Sequence, residues 1–149
     1  DDRAGVLFVR AIPGEQLGVL QTGRLVADVG QIADRYGVGH RIEVAHLVVL
    51  DPPAFVKSKK DLAAGLRGYE KLVRLAAPLL KENAVLMLAS CSHNVALSDL
   101  IEAASHGLRK ALPANRSTKL IRSFGASFDH PVHPMLKESE YLKSITFVV

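Results

Sequence analysis

The fold is decided by the stretch His46-Leu47-Val48-Val49-Leu50-Asp51-Pro52-Pro53-Ala54-Phe55. Residues 46–50 form a short apolar run, which predicts a buried strand. Two prolines follow the aspartate, and because proline has no backbone N–H they end strand pairing and begin a loop. Strands of this kind are typical of a parallel sheet that is covered by helices.

Helix and strand alternate after this first run. Apolar residues at helical spacing predict a helix over residues 62–80. A second apolar run predicts a strand over residues 84–89, followed by the exit loop Ser90-Cys91-Ser92-His93. A second helix is predicted over residues 97–112, with Ser98 as its N-cap.

Two more strands complete the pattern, at residues 119–124 and 144–149, with a loop rich in His and Pro between them. The order strand, helix, strand, helix, strand, loop, strand predicts an α/β fold. It matches the second half of a doubly wound sheet whose last strands form an antiparallel hairpin.

Composition sets the class of protein. The chain has 149 residues, 48% of them hydrophobic and 23% charged, which predicts one globular domain. No apolar stretch approaches the length of a membrane span, and the Asp1-Asp2 start has the wrong charge for a secretory signal, so a cytoplasmic protein is expected. The single cysteine, Cys91, excludes a disulfide within the chain and a multi-cysteine metal site.

Residues 1–45 differ from the rest of the chain. Residues 5–11 and 41–45 could form strands, and residues 29–36 a helix. Residues 24–30 begin like a strand that leads into a glycine-rich, cofactor-binding turn, but Gln31-Ile32-Ala33 follows where further glycines are needed. We therefore treat 1–45 as an atypical segment and 46–149 as the recognisable unit.

Two strand ends carry candidate chemistry. Asp51 follows the first predicted strand and Cys91 follows the next. Ligands of open α/β folds bind beyond the carboxyl ends of the strands, and neighbouring parallel strands lie about 4.8 Å apart, so both side chains could face one substrate. Taken singly, Asp-Pro-Pro could be a simple turn and the cysteine a small buried apolar residue.

Four motifs in order resemble one enzyme family. They are residues 48–60, Gly68-Tyr69, Ser90-Cys91-Ser92-His93, and the run Asp129-His130-Pro131-Val132-His133-Pro134 with Glu138-Ser139-Glu140-Tyr141-Leu142-Lys143. Together they resemble the class I S-adenosylmethionine (SAM)-dependent methyltransferases that modify carbon 5 of cytosine in large-subunit ribosomal RNA. The resemblance covers about residues 46–149, the carboxy-terminal half of such a domain, so the Rossmann-like sheet is expected to be incomplete.

The resemblance implies roles for these residues. Cys91 matches the nucleophile that adds to carbon 6 of cytosine, and Asp51 matches the carboxylate that holds the base. SAM is the implied cofactor and ribosomal RNA the implied partner. The substrate-binding residues implied by the same motifs are Pro52, Pro53, Phe55, Lys57, Ser92 and His93. His93 is a candidate for the base that helps product release, although it could equally be a loop histidine that bonds only backbone.

Several alternatives stay open. Asp-Pro-Pro is also found in amino-methyltransferases, but these place an aromatic residue directly after the prolines, where this chain has Ala54. His130 and His133 have no third cluster of ligands beside them, so no metal is expected. The basic residues Lys57, Lys59, Lys60, Arg67, Lys71 and Arg74 could steer phosphate or form a solvated helix face.

The competing hypothesis is a catalytically inactive fragment or remnant that binds no SAM. It rests on the missing glycine-rich turn. Half of a doubly wound sheet would also expose a strand edge, so self-association is a further expectation.

Overall fold

A computed structural model describes residues 45–149 throughout and, before them, the backbone of three strands. These three are β1 (Val6–Ile12), β2 (Gln16–Gln21) and β3 (Arg24–Asp28). The later strands are β4 (Ala45–Leu50), β5 (Leu80–Ser90), β6 (Lys119–Phe124) and β7 (Lys143–Val148). The two α-helices of the fully described part are α1 (Leu62–Ala76) and α2 (Leu97–Ala111).

The strands form one mixed sheet in the order β3-β2-β1-β4-β5-β7-β6. The central strands β1, β4 and β5 are parallel, and β7 and β6 complete one side as an antiparallel pair. The α/β class, the parallel centre and the antiparallel final hairpin are therefore confirmed. Strand β4 and helices α1 and α2 all begin within one residue of their predicted positions.

The bounds of two elements differ from the prediction. Helix α1 ends at Ala76 rather than near residue 80, and a short 3-10 turn, Ala77–Leu79, follows it. The cause is Pro78, which has no N–H to donate to the carbonyl oxygen four residues earlier, so the α-helical hydrogen bonds cannot continue through it. Strand β5 then begins at Leu80, four residues early, and Asn83 within it has a φ of 61°.

The N-cap prediction for the second helix is wrong. Helix α2 begins at Leu97, and its N-cap residue is Ala96 in an extended conformation, without a side-chain capping hydrogen bond. The helix is stabilised instead by packing. Gly107 allows α1 to approach so closely that a Cβ at this position would lie 2.7 Å from the carbonyl oxygen of Glu70. Lys110 Nζ lies 2.5 Å from Glu70 Oε1 across the same contact.

The first strands depart from a doubly wound sheet. Strand β1 is confirmed, but β2 and β3 were not predicted, and they pair antiparallel with β1 and with each other. The stretch that begins like a cofactor-binding strand is the edge strand β3 instead. The predicted helix at 29–36 and residues 41–44 lie outside the described residues.

The core lies between the sheet and the two helices. Its buried side chains come from β4, β5, β7, α1 and α2 and include Val48, Leu50, Leu86, Leu88, Ile145, Tyr69, Val73, Leu100 and Leu108. On β5, residues 84, 86, 88 and 90 are buried and residues 85, 87 and 89 between them are partly exposed. The described helices thus cover one face of the sheet, since side chains of a strand alternate between faces.

The loop after β4 lies directly on α1 because α1 has a glycine at the contact. A Cβ at Gly65 would be 2.2 Å from Val56 Cγ2 and 3.1 Å from the carbonyl oxygen of Phe55. Val56 is 2% exposed and belongs to the buried core. This close approach fixes the height of the loop above the helix.

We expect Gly65→Ala to lower the free energy of unfolding by about 1–3 kcal/mol, because overpacking displaces Val56 and outweighs the better helix propensity of alanine. Urea unfolding followed by circular dichroism measures the change. Gly125→Ala is the control, since the nearest atom to its Cβ would be the Leu142 carbonyl oxygen at 3.7 Å. Equal stability of Gly65→Ala and the wild-type chain would contradict this account of the loop.

Candidate active site at the carboxyl edge of the parallel strands

Asp51 and Cys91 emerge at the same edge of the sheet. Strands β4 and β5 are parallel, and Leu50, the last residue of β4, pairs with Leu88 of β5. Asp51 follows one residue beyond this pair and Cys91 three residues beyond it. The two residues are thus offset by two residues along the strand direction and by one strand spacing across the sheet, which puts them roughly 8 Å apart. Both residues are exposed.

The two exit loops are tied to each other. Val56 N, in the loop after β4, donates to Ser92 Oγ, in the loop after β5, at 3.3 Å. Asn94 Nδ2 donates to the carbonyl oxygen of Lys57 at 3.4 Å. The first loop closes at Ser58, whose N and Oγ both donate to Asp61 Oδ2 just before α1. The loops that carry Asp51 and Cys91 therefore form one connected unit.

Tyr69 of α1 supports these two loops from the core side. Its side chain is fully buried, and its Oη lies 2.7 Å from Ser90 Oγ and 3.1 Å from Ser92 Oγ. Ser92 N donates to Ser90 Oγ at 3.2 Å, which closes a small network of hydroxyl groups. Because all of these polar groups are buried, each needs its partner. The network fixes the backbone on both sides of Cys91.

Phe55 packs on the same tyrosine. The two ring centroids are 4.9 Å apart with planes tilted by 51°, and a Cβ at Gly68 would lie 3.1 Å from the Phe55 ring. Gly68 makes room for the ring and Tyr69 supplies its contact. The Gly68-Tyr69 motif of the sequence thus supports the exit loops.

The predicted site residues divide into two groups. Asp51, Pro53, Lys57, Cys91 and His93 are exposed at the edge, where a substrate could reach them. Pro52, Phe55 and Ser92, which were also predicted to bind substrate, are buried or partly buried. The Ser92 hydroxyl is engaged by Tyr69 and Val56, so its visible role is to hold the loops.

Lys143 lies beside the candidate site, and its position there was not predicted from the sequence. It is the first residue of β7 and pairs with Ser90, directly before Cys91. Its Nζ donates to the carbonyl oxygens of Ser92 at 3.1 Å and Tyr141 at 3.0 Å. Burial lowers the pKa of Lys143 below its usual 10.5, and the nearby Glu140 and Cys91 act in the opposite direction. The signal available in sequence was the motif at residues 138–143, whose role was left open.

The loop histidines have local partners. His130 Nδ1 lies 3.3 Å from Asp129 Oδ2, and the hydrogen bond from His130 lowers the pKa of Asp129. His133 Nδ1 accepts from Met135 N at 3.2 Å. Among residues 45–149 and the three earlier strands, no group of three or more His, Cys, Asp or Glu residues could hold a metal ion. In that same part of the chain, every helix is too short or too polar to cross a membrane.

From β4 onward, the sheet and its carboxyl edge have the arrangement of a class I methyltransferase. A solved structure of a candidate methyltransferase in complex with SAH is similar, with a TM-score of 0.58 and 21% identity over 80% of this chain and 28% of that one. A candidate SAM-dependent methyltransferase from Streptococcus mutans matches at a TM-score of 0.58 and 22% identity over 80% of this chain and 28% of that one. At these identities the likeness concerns the fold.

The sequence comparison is more specific. A ribosomal RNA large subunit methyltransferase I of Escherichia coli (strain SMS-3-5) is 38% identical over 103 residues, 69% of this chain and 25% of that protein. The protein of the same name from Shigella boydii serotype 18 is 37% identical over the same shares. The resemblance to the large-subunit ribosomal RNA methyltransferases is confirmed for this part. The chain spans about a quarter of the length of these relatives. No family model matches it.

The described residues do not supply the usual SAM-binding turn. In class I folds the cofactor lies where the first strand leads through a glycine-rich turn into a helix. Here β1 ends at Ile12, and Ile12 already pairs with Gln16 of the antiparallel β2. Only three residues separate the two strands, too few for a crossover helix. The usual SAM-binding turn is therefore not found among the described residues of this first half.

We expect Tyr69→Phe to lower the free energy of unfolding by about 1–3 kcal/mol, because the buried hydroxyls of Ser90 and Ser92 lose a shared partner. Thermal or urea unfolding of the purified chain measures the effect. Tyr141→Phe removes the same group from a partly exposed ring and should change stability by less than about 0.5 kcal/mol. If both variants lose the same stability, the network below Cys91 is not important.

Proposed function

We propose that this chain carries the nucleophile and the base-binding carboxylate of a SAM-dependent methyltransferase that acts on carbon 5 of cytosine in ribosomal RNA. The observation that carries the proposal is the placement of Asp51 and Cys91, both exposed, at one edge of two neighbouring parallel strands. The two loops are joined by hydrogen bonds, so the pair is held in a fixed relation before substrate arrives. Such preorganisation is what covalent catalysis requires.

The chemistry assigns each of the two groups a step. Carbon 5 of cytosine is a poor nucleophile. The Cys91 thiolate would add to carbon 6 and form a C–S bond, and the electron pair of the 5,6 double bond would then make carbon 5 nucleophilic. Asp51 would hold the amino and ring-nitrogen edge of the base while charge moves in the ring. Elimination of the thiolate, with loss of a proton from carbon 5, would restore the ring.

The surroundings fit a nucleic-acid substrate. Lys57 is exposed on the loop that begins at Asp51, and Lys59 and Lys60 are exposed in the short 3-10 turn that follows it. Helix α1 adds the exposed residues Arg67, Lys71 and Arg74. Phosphate contacts by such side chains would position the RNA, with the base read at the strand ends. Lys57 and Pro53 are the nearest candidates for contact with the nucleotide, and His93 for proton removal during release. A ribosomal RNA substrate would place the protein in the cytoplasm.

The proposal divides the chain at residue 46. Residues 46–149 would form the carboxy-terminal, substrate-facing half of the methyltransferase domain, and residues 1–45 an atypical segment. One similar solved structure holds SAH and another is described as SAM-dependent, so SAM is the proposed methyl donor. The described residues include no glycine-rich turn for it, and the chemistry above involves only Asp51 and Cys91.

The alternative is that the chain is an inactive remnant of such an enzyme, and its similarity to named methyltransferases does not favour it. The antiparallel pairing of β1 with β2 leaves no crossover helix where class I folds bind the cofactor. In this reading the edge residues keep their places through packing alone and do not react with cytosine.

Tritium release from ribosomal RNA labelled at carbon 5 of cytosine decides between the two. Addition of Cys91 to carbon 6 lets carbon 5 take a proton from water and lose tritium, even without a methyl donor. We expect release by the wild-type chain, loss to background in Cys91→Ala, and a loss of about 100-fold in Asp51→Asn. Arms with and without SAM show whether this chain uses the cofactor.

Ser98→Ala is the matched control, an exposed position at the start of α2 that lies outside the proposed site. Release that survives Cys91→Ala would rule out covalent catalysis by this thiol. Background release from the wild-type chain in both arms would support the inactive remnant.

Self-association is a second property that we propose for the chain. Strand β6 lies at the edge of the sheet and all six of its residues are exposed, among them Leu120, Ile121 and Phe124 at 42%, 56% and 41%. An unpaired apolar edge strand is a template for another chain.

We expect the mass measured by light scattering to rise with concentration. Ile121→Lys should reduce this rise, because a charged side chain on an edge strand opposes pairing. Met135→Lys, which places the same charge on the loop beyond β6, should not. A mass that stays at 16.1 kDa at every concentration would contradict self-association.

A further inference from the structure

Lys143 is the cation that the fold places beside the Cys91 loop. It stands at the start of β7, opposite Ser90 in the antiparallel pair β5–β7. Cys91 is the next residue after Ser90, so the position of Lys143 is fixed by the ladder of the sheet rather than by a loop. The site proposed above makes no use of this residue.

The contacts of Lys143 hold its charge near that loop. Two of the three N–H groups of its ammonium donate to the carbonyl oxygens of Ser92 and Tyr141. The first of these carbonyls belongs to the residue after Cys91, so Lys143 contacts both sides of the cysteine, Ser90 through the sheet and Ser92 through its side chain. Neither partner carries a charge that would cancel the positive charge of the ammonium.

Among the described residues, Glu140 and Cys91 interact electrostatically with the Lys143 ammonium. The Glu140 carboxylate is exposed and competes for the ammonium from the solvent side. An ionised Cys91 sulfur attracts the same ammonium, and by reciprocity the ammonium attracts an anion at the sulfur. Partial burial keeps this attraction from being screened as fully as it would be at the surface.

We propose that Lys143 is a positioning residue for Cys91, holding the loop through the Ser92 carbonyl and placing a positive charge where the thiolate and an approaching anion lie. The inference rests on the proposed function for its purpose, since a nucleophilic thiol needs both a fixed backbone and an ionised form. It differs from a purely structural role in one respect. A structural lysine would act only through its hydrogen bonds, whereas here the charge itself matters.

Competing alkylation of the thiol measures this charge without any need for enzymatic activity. Cys91 is the only cysteine of the chain, so all thiol alkylation reports on it. Iodoacetate is an anion and iodoacetamide is neutral, and both react with the same thiolate. The ratio of their rates at one pH is therefore independent of the ionised fraction and reports the local charge.

At low ionic strength we expect the ratio of iodoacetate to iodoacetamide rates to fall by roughly threefold or more in Lys143→Met and Lys143→Gln. Gln retains hydrogen-bond donors without the charge, and Arg retains both, so Lys143→Arg should restore the ratio. Glu140→Gln should raise it by removing the competing carboxylate. Lys137→Met is the matched control, because it removes an equal charge from an exposed position in the same segment.

An unchanged ratio in Lys143→Met would overturn the proposal. Should that variant fail to fold, the wild-type chain gives an independent test, since added salt should lower its ratio toward that of free cysteine, and a ratio insensitive to salt would equally overturn it. In the tritium assay, Lys143→Met should lower kcat more than it raises KM, with rescue by Lys143→Arg. If the wild-type chain releases no tritium but the alkylation ratio still falls in Lys143→Met, the result would count against the proposed function and leave Lys143 in its role.

Discussion

The parallel pairing of β4 with β5 is the constraint on which the rest of this structure depends. Because Leu50 lies beside Leu88, both strands point toward the same edge, and whatever residue follows each strand must emerge there. The sheet thereby converts two positions that are 40 residues apart in the sequence, Asp51 and Cys91, into neighbours. Backbone hydrogen bonds between β4 and β5 fix this relation. The side chains of Asp51 and Cys91 therefore need no contact with each other to be brought together.

Support for that edge comes from small and polar residues of α1. Gly65 and Gly68 let the loop after β4 lie on the helix, and Tyr69 extends one hydroxyl into the space beneath both loops. A larger residue at either glycine would displace the loop, while phenylalanine in place of Tyr69 would remove one hydrogen-bond partner from each of two buried serine hydroxyls. Helix α1 therefore contributes to the core and also supports the loops that carry Asp51 and Cys91.

Sequence reasoning predicted the elements whose pattern is local. Strand β4, both helices and the final hairpin follow from apolar periodicity and from the two prolines after Asp51. It missed the first residues of β5, because Lys81, Glu82 and Asn83 are polar and resemble a loop, and it missed β2 and β3, whose pairing is visible only in the sheet.

The same limit applies to the site. Asp51 and Cys91 were found because strand ends in an alternating pattern fall on one edge. The sequence did not predict that Ser92 and Phe55 point inward, because a short motif does not show which side chains will contact a buried tyrosine. Lys143 was missed because its place beside Ser90 depends on which strand β7 joins. The comparisons confirm the family likeness and the fold, and the roles of the individual residues stay predictions.

The separation of the paired strands also bears on how the molecule assembles. Strands β1 to β3 meet through connections of two or three residues, whereas β1 must find β4 and β4 must find β5 across roughly thirty residues each. Closing such distances costs chain entropy before any contact repays it, so long-range parallel pairing is slow. We expect the hairpins to form early and the central parallel strands late. The edge that bears the reactive groups would then be among the last parts of the chain to take shape during synthesis.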